Sequence, residues 1–167
     1  MQKTKTLVLC AMTAALSILI LLIGGWIGVG TYAAPMLAGL LILPLSHRAG
    51  VKWQLCVWIA ASLLGRMLVN DREEVLIYAC LFGWYPAARP ALEKLPGGVR
   101  MIVKLVIFNA VIIAAEALVM LVLVPEAEKA WMLILLLALG NITFLLYDRI
   151  IPRADRLLSA RLGRLYR

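Results

Sequence analysis

The chain has 167 residues, 64% of them hydrophobic, and its mean hydropathy is +0.97. A soluble domain is usually about 45–50% apolar, so this composition argues against a water-soluble fold and indicates a protein embedded in a lipid bilayer. The net charge is +8. The basic residues lie between the apolar runs and at the C-terminus, which indicates contact with a membrane surface rather than with nucleic acid.

Six apolar runs predict six transmembrane helices, because lipid offers backbone polar groups no partner outside a helix. The first run is longer than the apolar core of a signal peptide, and we interpret it as a retained helix. The second is short for a span, which takes about 20 residues. We expect an all-α integral membrane bundle that forms one domain over 1–167, with a basic amphipathic tail at 152–167 on the inner leaflet. The helices are expected at about 6–24, 32–46, 51–69, 75–92, 101–124 and 129–150.

The basic residues also predict an orientation. If the N-terminus is cytoplasmic, fourteen Lys and Arg residues fall on the inner side and three on the outer side. Cytoplasmic loops carry the excess of positive charge in membrane proteins, so both termini are expected in the cytoplasm of a multi-pass protein of the cell membrane. The outer segments "NDREE" (70–74) and "PEAEK" (125–129) carry acidic residues.

Polar residues interrupt the last two runs at matching intervals. Asn109 and Glu116 are seven residues apart in the fifth run, and Asn141 and Asp148 are seven apart in the sixth. A spacing of seven places two side chains on nearly the same face of a helix, and a charged group facing lipid costs about 2.5–3.5 kcal/mol on insertion scales. We therefore expect both stripes to face the bundle. Glu116 is interpreted as a ligand-binding carboxylate or a protonated structural group, and the asparagines as interhelical hydrogen-bonding residues or ligand contacts.

Aromatic residues cluster on the predicted outer side. Trp26 and Tyr32 flank the glycine-rich "GGWIGVGTY", and glycine lets backbone approach a ligand closely. Tyr78 and Phe82 are four residues apart in the outer half of the fourth run, and Trp131 begins the sixth. These rings fit either a binding pocket or an interfacial aromatic belt.

The fourth run ends in a segment rich in proline and charge. Pro86 and Pro90 each remove a backbone donor and predict a bend in the inner half of the helix. Arg89, Glu93 and Lys94 follow towards the cytoplasm, as a solvated helix end or as a surface for a partner.

We find no sign of an enzyme. Three cysteines lie in apolar runs without CxxC spacing, which predicts ordinary packing and no metal. The sequence has one histidine and no HExxH, GxSxG or phosphate-loop motif. We therefore expect no catalytic residues and no cofactor.

In layout the chain resembles the substrate-binding S components of energy-coupling factor (ECF) vitamin transporters. The features that carry the resemblance are the six runs, the inner termini, "AMTAA" in the first run, with alanines at 11 and 15, and the glycine-rich first outer loop. The resemblance implies capture of a small, vitamin-like solute from outside. It also implies docking to a transmembrane coupling subunit that is driven by two ATPase subunits.

The same resemblance implies residue roles. The small residues Ala11, Ala14 and Ala15 would form the docking face for the coupling subunit. The pocket would fall in the region of Trp26, Tyr32, Tyr78, Phe82, Asn109, Glu116 and Asn141.

A second interpretation comes from another class of protein. Small basic proteins with six helices also include membrane scaffolds such as the MreD-like cell-shape proteins. A scaffold predicts inward polar side chains that satisfy one another and no ligand cavity.

Overall fold

The computed structural model describes residues 2–27, 32–122 and 130–164, and within these ranges it is helical without strands. The helices alternate in direction, so that two ends can be distinguished. The basic end carries Gln2, Arg48 and Gly97, and the opposite end carries Ile27 and Arg72. The elements are α1 (Gln2–Ile27), α2 (Ala33–Leu40), α3 (Leu43–Arg48), α4 (Val51–Leu68), α5 (Arg72–Ile77), a π-helical turn (Tyr78–Phe82), α6 (Tyr85–Leu92), α7 (Gly97–Val122) and α8 (Ala130–Arg164).

The interrupted segments, α2–α3 and α5–α6, lie between two pairs of longer helices. On one side α1 and α4 pack around a cluster that includes Leu21, Val57 and Tyr78. On the other side α7 and α8 pack around a second cluster that includes Phe108 and Phe144, whose rings stack 4.3 Å apart. Breaks in a helix leave backbone groups unpaired, and the middle of a bundle is where neighbouring helices can pair with them.

Among the residues that the structure describes, two helices are long and apolar enough to cross a membrane, Lys3–Ile27 in α1 and Gly97–Ala115 in α7. Large apolar side chains are exposed along α1, α4 and α7, among them Met12, Leu63 and Ile102 at 58%, 66% and 63%. Exposed apolar surface of this extent marks contact with a membrane or a partner. The helical structure of the described residues confirms the prediction of an all-α protein. The two long apolar helices support association with a membrane.

The short second run is a broken helix. Pro44 has no N–H to offer the carbonyl of Leu40, so α2 ends there and α3 begins at Leu43. The amide of Gln54 on α4 donates to the carbonyl of Ile42 at 3.2 Å. A side chain thus helps to satisfy the backbone at the break.

The bend in the fourth run begins earlier than Pro86 and Pro90 predict. The N–H of Gly83 donates to the carbonyl of Tyr78 at 2.7 Å, five residues back, which makes the turn π-helical. Pro86 cannot donate to Phe82, so the proline acts on the turn before it. The prediction of a kink at the prolines is therefore corrected: α6 is regular from Tyr85 and contains both.

Side chains take over the carbonyls that the π-helical turn leaves free. The Trp58 indole donates to Ala79 at 3.0 Å and the Trp84 indole to Cys80 at 2.6 Å. The Tyr147 hydroxyl donates to Phe82 at 3.1 Å. A Cβ at Gly39 would overlap this hydroxyl and the Phe82 carbonyl, so a glycine lets α2 approach at this point.

The boundary expected between the sixth run and the tail is absent. Helix α8 continues through Pro152 to Arg164 as one helix of 35 residues. The location of 152–167 on the inner leaflet stays a prediction. Ile151 is buried in the second cluster and Ala154 packs against it. Packing on both sides of the proline outweighs the loss of one backbone hydrogen bond.

Candidate functional site

A buried carboxylate lies at the opposite end of the bundle. Asp71 caps α5 by accepting the N–H groups of Glu73 and Glu74 at 3.0 and 3.2 Å. This cap starts the helix so that Glu74, in its first turn, points into the protein. Glu74 is 0% exposed, and within the described part of the chain neither carboxylate oxygen has a hydrogen-bond partner. A buried polar group without a partner is costly, which makes Glu74 a candidate for ligand binding.

Two glycines of α1 make room for this carboxylate. A Cβ on Gly24 would overlap Glu74 Oε1 and the Cβ of Ala34, and one on Gly25 would lie 3.2 Å from Glu74 Oε2. Burial, and to a smaller extent the nearby Asp71 carboxylate, together raise the pKa of Glu74 to about 7. At neutral pH this group is therefore divided between a charged and a neutral form.

Two buried hydroxyls also lack hydrogen-bond partners within the described residues. One is that of Tyr78, four residues after Glu74, and the other is that of Ser62 on α4. Ser17 on α1 donates to the Ala38 carbonyl at 3.2 Å. Buried polar groups without partners are uncommon, and they can accept from or donate to a ligand.

The aromatic residues predicted for the pocket separate in the structure. Tyr78, four residues after Glu74, is fully buried in the first cluster. Phe82 is buried in the second cluster, where its ring lies 4.9 Å from that of Tyr147. Trp26 is 84% exposed, and Tyr32 is partly buried at the start of α2. Of these four residues, Tyr78 is the one whose buried hydroxyl lacks a partner within the described residues.

The two asparagines pair with each other. Each amide donates to the other's oxygen, at 2.9 Å from Asn109 to Asn141 and 2.8 Å in return. Each also donates to the carbonyl four residues earlier, Leu105 at 2.8 Å and Leu137 at 2.7 Å. All four amide hydrogens are thus engaged, and the interhelical hydrogen bonds expected from the sequence are present.

We expect the Asn109–Asn141 pair to contribute measurably to stability. Asn109→Ala and Asn141→Ala should each lower the thermal midpoint, and the double variant should lose less than their sum. The coupling energy should be about 0.6–2 kcal/mol. The measurement is a double-mutant cycle of thermal unfolding in detergent, and strictly additive losses would contradict the pairing.

Two predicted residues fall outside what the structure describes. Glu116 lies on α7 and Trp131 on α8, but both side chains lie outside the described residues. The interpretation of Glu116 as a ligand carboxylate stays a prediction.

The alanines predicted for docking do not share one surface. Ala11 and Ala15 are exposed on α1, whereas Ala14 is 9% exposed and belongs to the first cluster. The docking prediction for Ala14 is corrected, because a residue packed in the core is not available to a partner. An exposed face with Ala11 and Ala15 remains.

At the basic end, an ionic cluster links α6, α7 and α8. Lys104, with its side chain 2% exposed, donates to Glu93 Oε1 at 2.7 Å and to Asp148 Oδ2 at 2.9 Å. Arg89 bridges the same carboxylates at 2.9 and 3.0 Å. Arg100 contacts Glu93 Oε2 at 2.6 Å.

The Tyr85 hydroxyl completes the contacts of Asp148, donating to its Oδ1 at 2.5 Å. Hydrogen bonding to Lys104, with the charges of Arg89, Lys104 and Arg100, lowers the pKa of Glu93 although partial burial opposes the shift. These six residues, Tyr85, Arg89, Glu93, Arg100, Lys104 and Asp148, are called the ionic cluster below. Its carboxylates are satisfied from within the protein.

Sequence reasoning missed Glu74 and Lys104 as central residues. In the sequence, Glu74 is one of three acidic residues in the outer segment "NDREE", although it directly precedes an apolar run. Lys104 was counted with the inner basic residues, although it lies inside the fifth run as Asp148 lies inside the sixth. Opposite charges at the inner ends of neighbouring runs were the available signal.

Comparison of the chain with protein-family models, with curated proteins and with solved structures found no match.

Proposed function

We propose that the chain is a multi-pass membrane subunit that binds a small solute at the outer face and passes it to an ATP-driven coupling module. The proposal includes six transmembrane segments with cytoplasmic termini, and in that topology the opposite end of the bundle faces the outside of the cell. The observation that carries the proposal is the Glu74 carboxylate, fully buried at that end with both oxygens unpartnered. A protein that only needed a filled core would gain stability from an apolar residue there.

The chemistry of the site favours a ligand that donates hydrogen bonds. A carboxylate can pair with a cationic amine or accept from a ring N–H. Tyr78, four residues after Glu74, has a buried hydroxyl without a partner that can donate or accept. Gly24 and Gly25 of α1 leave space beside the carboxylate because they carry no Cβ. A small amine or nitrogen heterocycle, vitamin-like in size, fits these properties.

Delivery across the membrane is the second part of the proposal. Ala11 and Ala15 give α1 an exposed small-residue face, and such faces let another helix approach closely. The transmembrane coupling subunit is proposed to dock there and to be driven by two ATPase subunits.

Native mass spectrometry after extraction in mild detergent tests the binding role. The wild-type protein should retain a small molecule that Glu74→Gln loses. Glu73→Gln is the matched control, because Glu73 is the neighbouring carboxylate, is exposed and should leave retention unchanged. A molecule retained equally by all three proteins, or by none of them, contradicts binding at Glu74.

A membrane scaffold is the second candidate. The observation in its favour comes from the α7–α8 half of the bundle. There the two asparagines are hydrogen-bonded to each other, and the charged groups of the ionic cluster are paired among themselves. A scaffold predicts that Glu74→Leu is stabilising and without functional effect. A solute carrier predicts that the same change abolishes retention of the small molecule.

A further inference from the structure

A cleft of about 520 Å³ opens at the basic end, beside the ionic cluster. Helices α6, α7 and α8 form its walls. Its volume is within the range of about 300–1,000 Å³ that small-molecule sites occupy. It lies at the other end of the bundle from Glu74 and is a separate site.

The walls of the cleft carry an excess of positive charge. Five cationic side chains and two carboxylates line it, so the excess is three charges. Both carboxylates, Glu93 and Asp148, are already engaged by Lys104 and Arg89. Their negative charge is therefore largely neutralised within the protein. The five cations are Arg89, Arg100, Lys104, Arg149 and Arg153.

Two of these cations remain free for an anion. Arg149 and Arg153 are exposed and four residues apart, on one face of α8. Within the described residues neither has an ion-pair partner. Gly97, the first residue of α7, also lines the cleft, and the N–H groups of a first helical turn have no acceptor within the helix. The cleft thus offers an anion two guanidinium groups and a helix N-terminus.

The neighbouring surface favours a lipid as the source of that anion. Met101 lines the cleft at 41% exposure, and Ile102 beside it is 63% exposed. Val106, four residues after Ile102, is 61% exposed, so apolar surface continues from Ile102 along α7, where an acyl chain would lie. Basic pockets between helices on the cytoplasmic side are suited to phosphate head groups.

We propose that the cleft binds the phosphate head group of an anionic lipid of the inner leaflet. Arg149 and Arg153 contact the phosphate, and the Gly97 N–H donates to it. The ionic cluster holds α6, α7 and α8 in the arrangement that forms the cleft. Because the site uses none of the groups around Glu74, it stands whether or not the proposed solute is found.

The test is lipid retention by the full-length protein, measured by native mass spectrometry with added phosphatidylglycerol or phosphatidylcholine. The wild type should retain phosphatidylglycerol, and Arg149→Gln/Arg153→Gln should weaken retention by about tenfold or more, since each basic residue near a lipid surface contributes on the order of 1 kcal/mol. Lys3→Gln/Lys5→Gln is the matched control, because it removes two exposed charges of the same end from outside the cleft. It should change retention little.

Further arms distinguish the source of the phosphate. Soluble glycerol phosphate should compete only weakly with phosphatidylglycerol for the cleft. If the protein instead binds glycerol phosphate and retains no phosphatidylglycerol at the same concentration, the ligand is a soluble phosphate and the lipid assignment is overturned. Equal retention of both lipids, or equal losses in the two double variants, would overturn the site itself. Unchanged thermal midpoints in both variants show that the losses are not due to unfolding.

Discussion

Glu74→Gln is expected to raise the thermal stability of the ligand-free protein at pH 8 and to have little effect at pH 5. The pKa of this buried carboxyl is raised from 4.5 to about 7. A raised carboxyl pKa means that ionisation is less favourable in the folded state than in the unfolded state. The cost is absent below pH 4.5, grows as the unfolded chain ionises, and is complete above pH 7.

Glutamine does not ionise, so the variant escapes this cost. A shift of this size corresponds to roughly 3 kcal/mol, or roughly 6–12 °C in the thermal midpoint of a chain of this length. The informative quantity is how the difference in thermal midpoint between Glu74→Gln and the wild type changes with pH. Burial of the glutamine amide also shifts the midpoint, but by an amount that does not vary with pH. Midpoints should be measured from pH 5 to pH 8 with Glu73→Gln as the control. A difference that stays constant over this range contradicts the raised pKa.

Lys104→Met is expected to be strongly destabilising. Lys104 is 2% exposed and its ammonium group contacts both Glu93 and Asp148. Methionine fills a similar volume but leaves Asp148, which is 11% exposed, with one cation, Arg89, in place of two. Removing one partner of a buried ion pair costs about 3–5 kcal/mol, because the remaining charge stays buried.

A second substitution should recover much of this loss. In Lys104→Met/Asp148→Asn both buried charges are gone, and such paired replacements are often close to neutral. Lys94→Met is the control, since Lys94 is exposed at the same end and should shift stability by less than about 0.5 kcal/mol. Thermal midpoints in detergent provide the measurement. A double variant no more stable than Lys104→Met would contradict the ion-pair explanation.

The apolar runs predicted which segments are helical, because a long apolar segment without breaks has few other ways to satisfy its backbone. They did not predict the break at Ile42 or the π-helical turn at 78–82. Both depend on side chains distant in sequence, namely Gln54, Trp58 and Tyr147, that pair with freed carbonyls. The continuation of α8 through Pro152 likewise depends on tertiary packing around Ile151.

The candidate site was less predictable than the fold. The spacing of seven residues predicted that Asn109 and Asn141 face the bundle, since a fixed helical period places each on a polar stripe. Their pairing with each other comes from the structure. Glu74 was not predicted, because in the sequence it is one acidic residue in a short acidic loop. Its burial follows from the Asp71 cap and from the two glycines of α1, and no local pattern reports that combination.

The π-helical turn contains one residue more than an α-helical turn, and it lies between Glu74 and the ionic cluster on the same segment. Deleting a single residue there would restore α-helical spacing and rotate everything that follows by about 100°. Arg89 and Glu93 would then turn away from Lys104 and Asp148 while Glu74 kept its position. The extra residue thus sets the angular phase between the two ends of the segment, so that one continuous stretch of chain carries both the buried carboxylate and two residues of the ionic cluster.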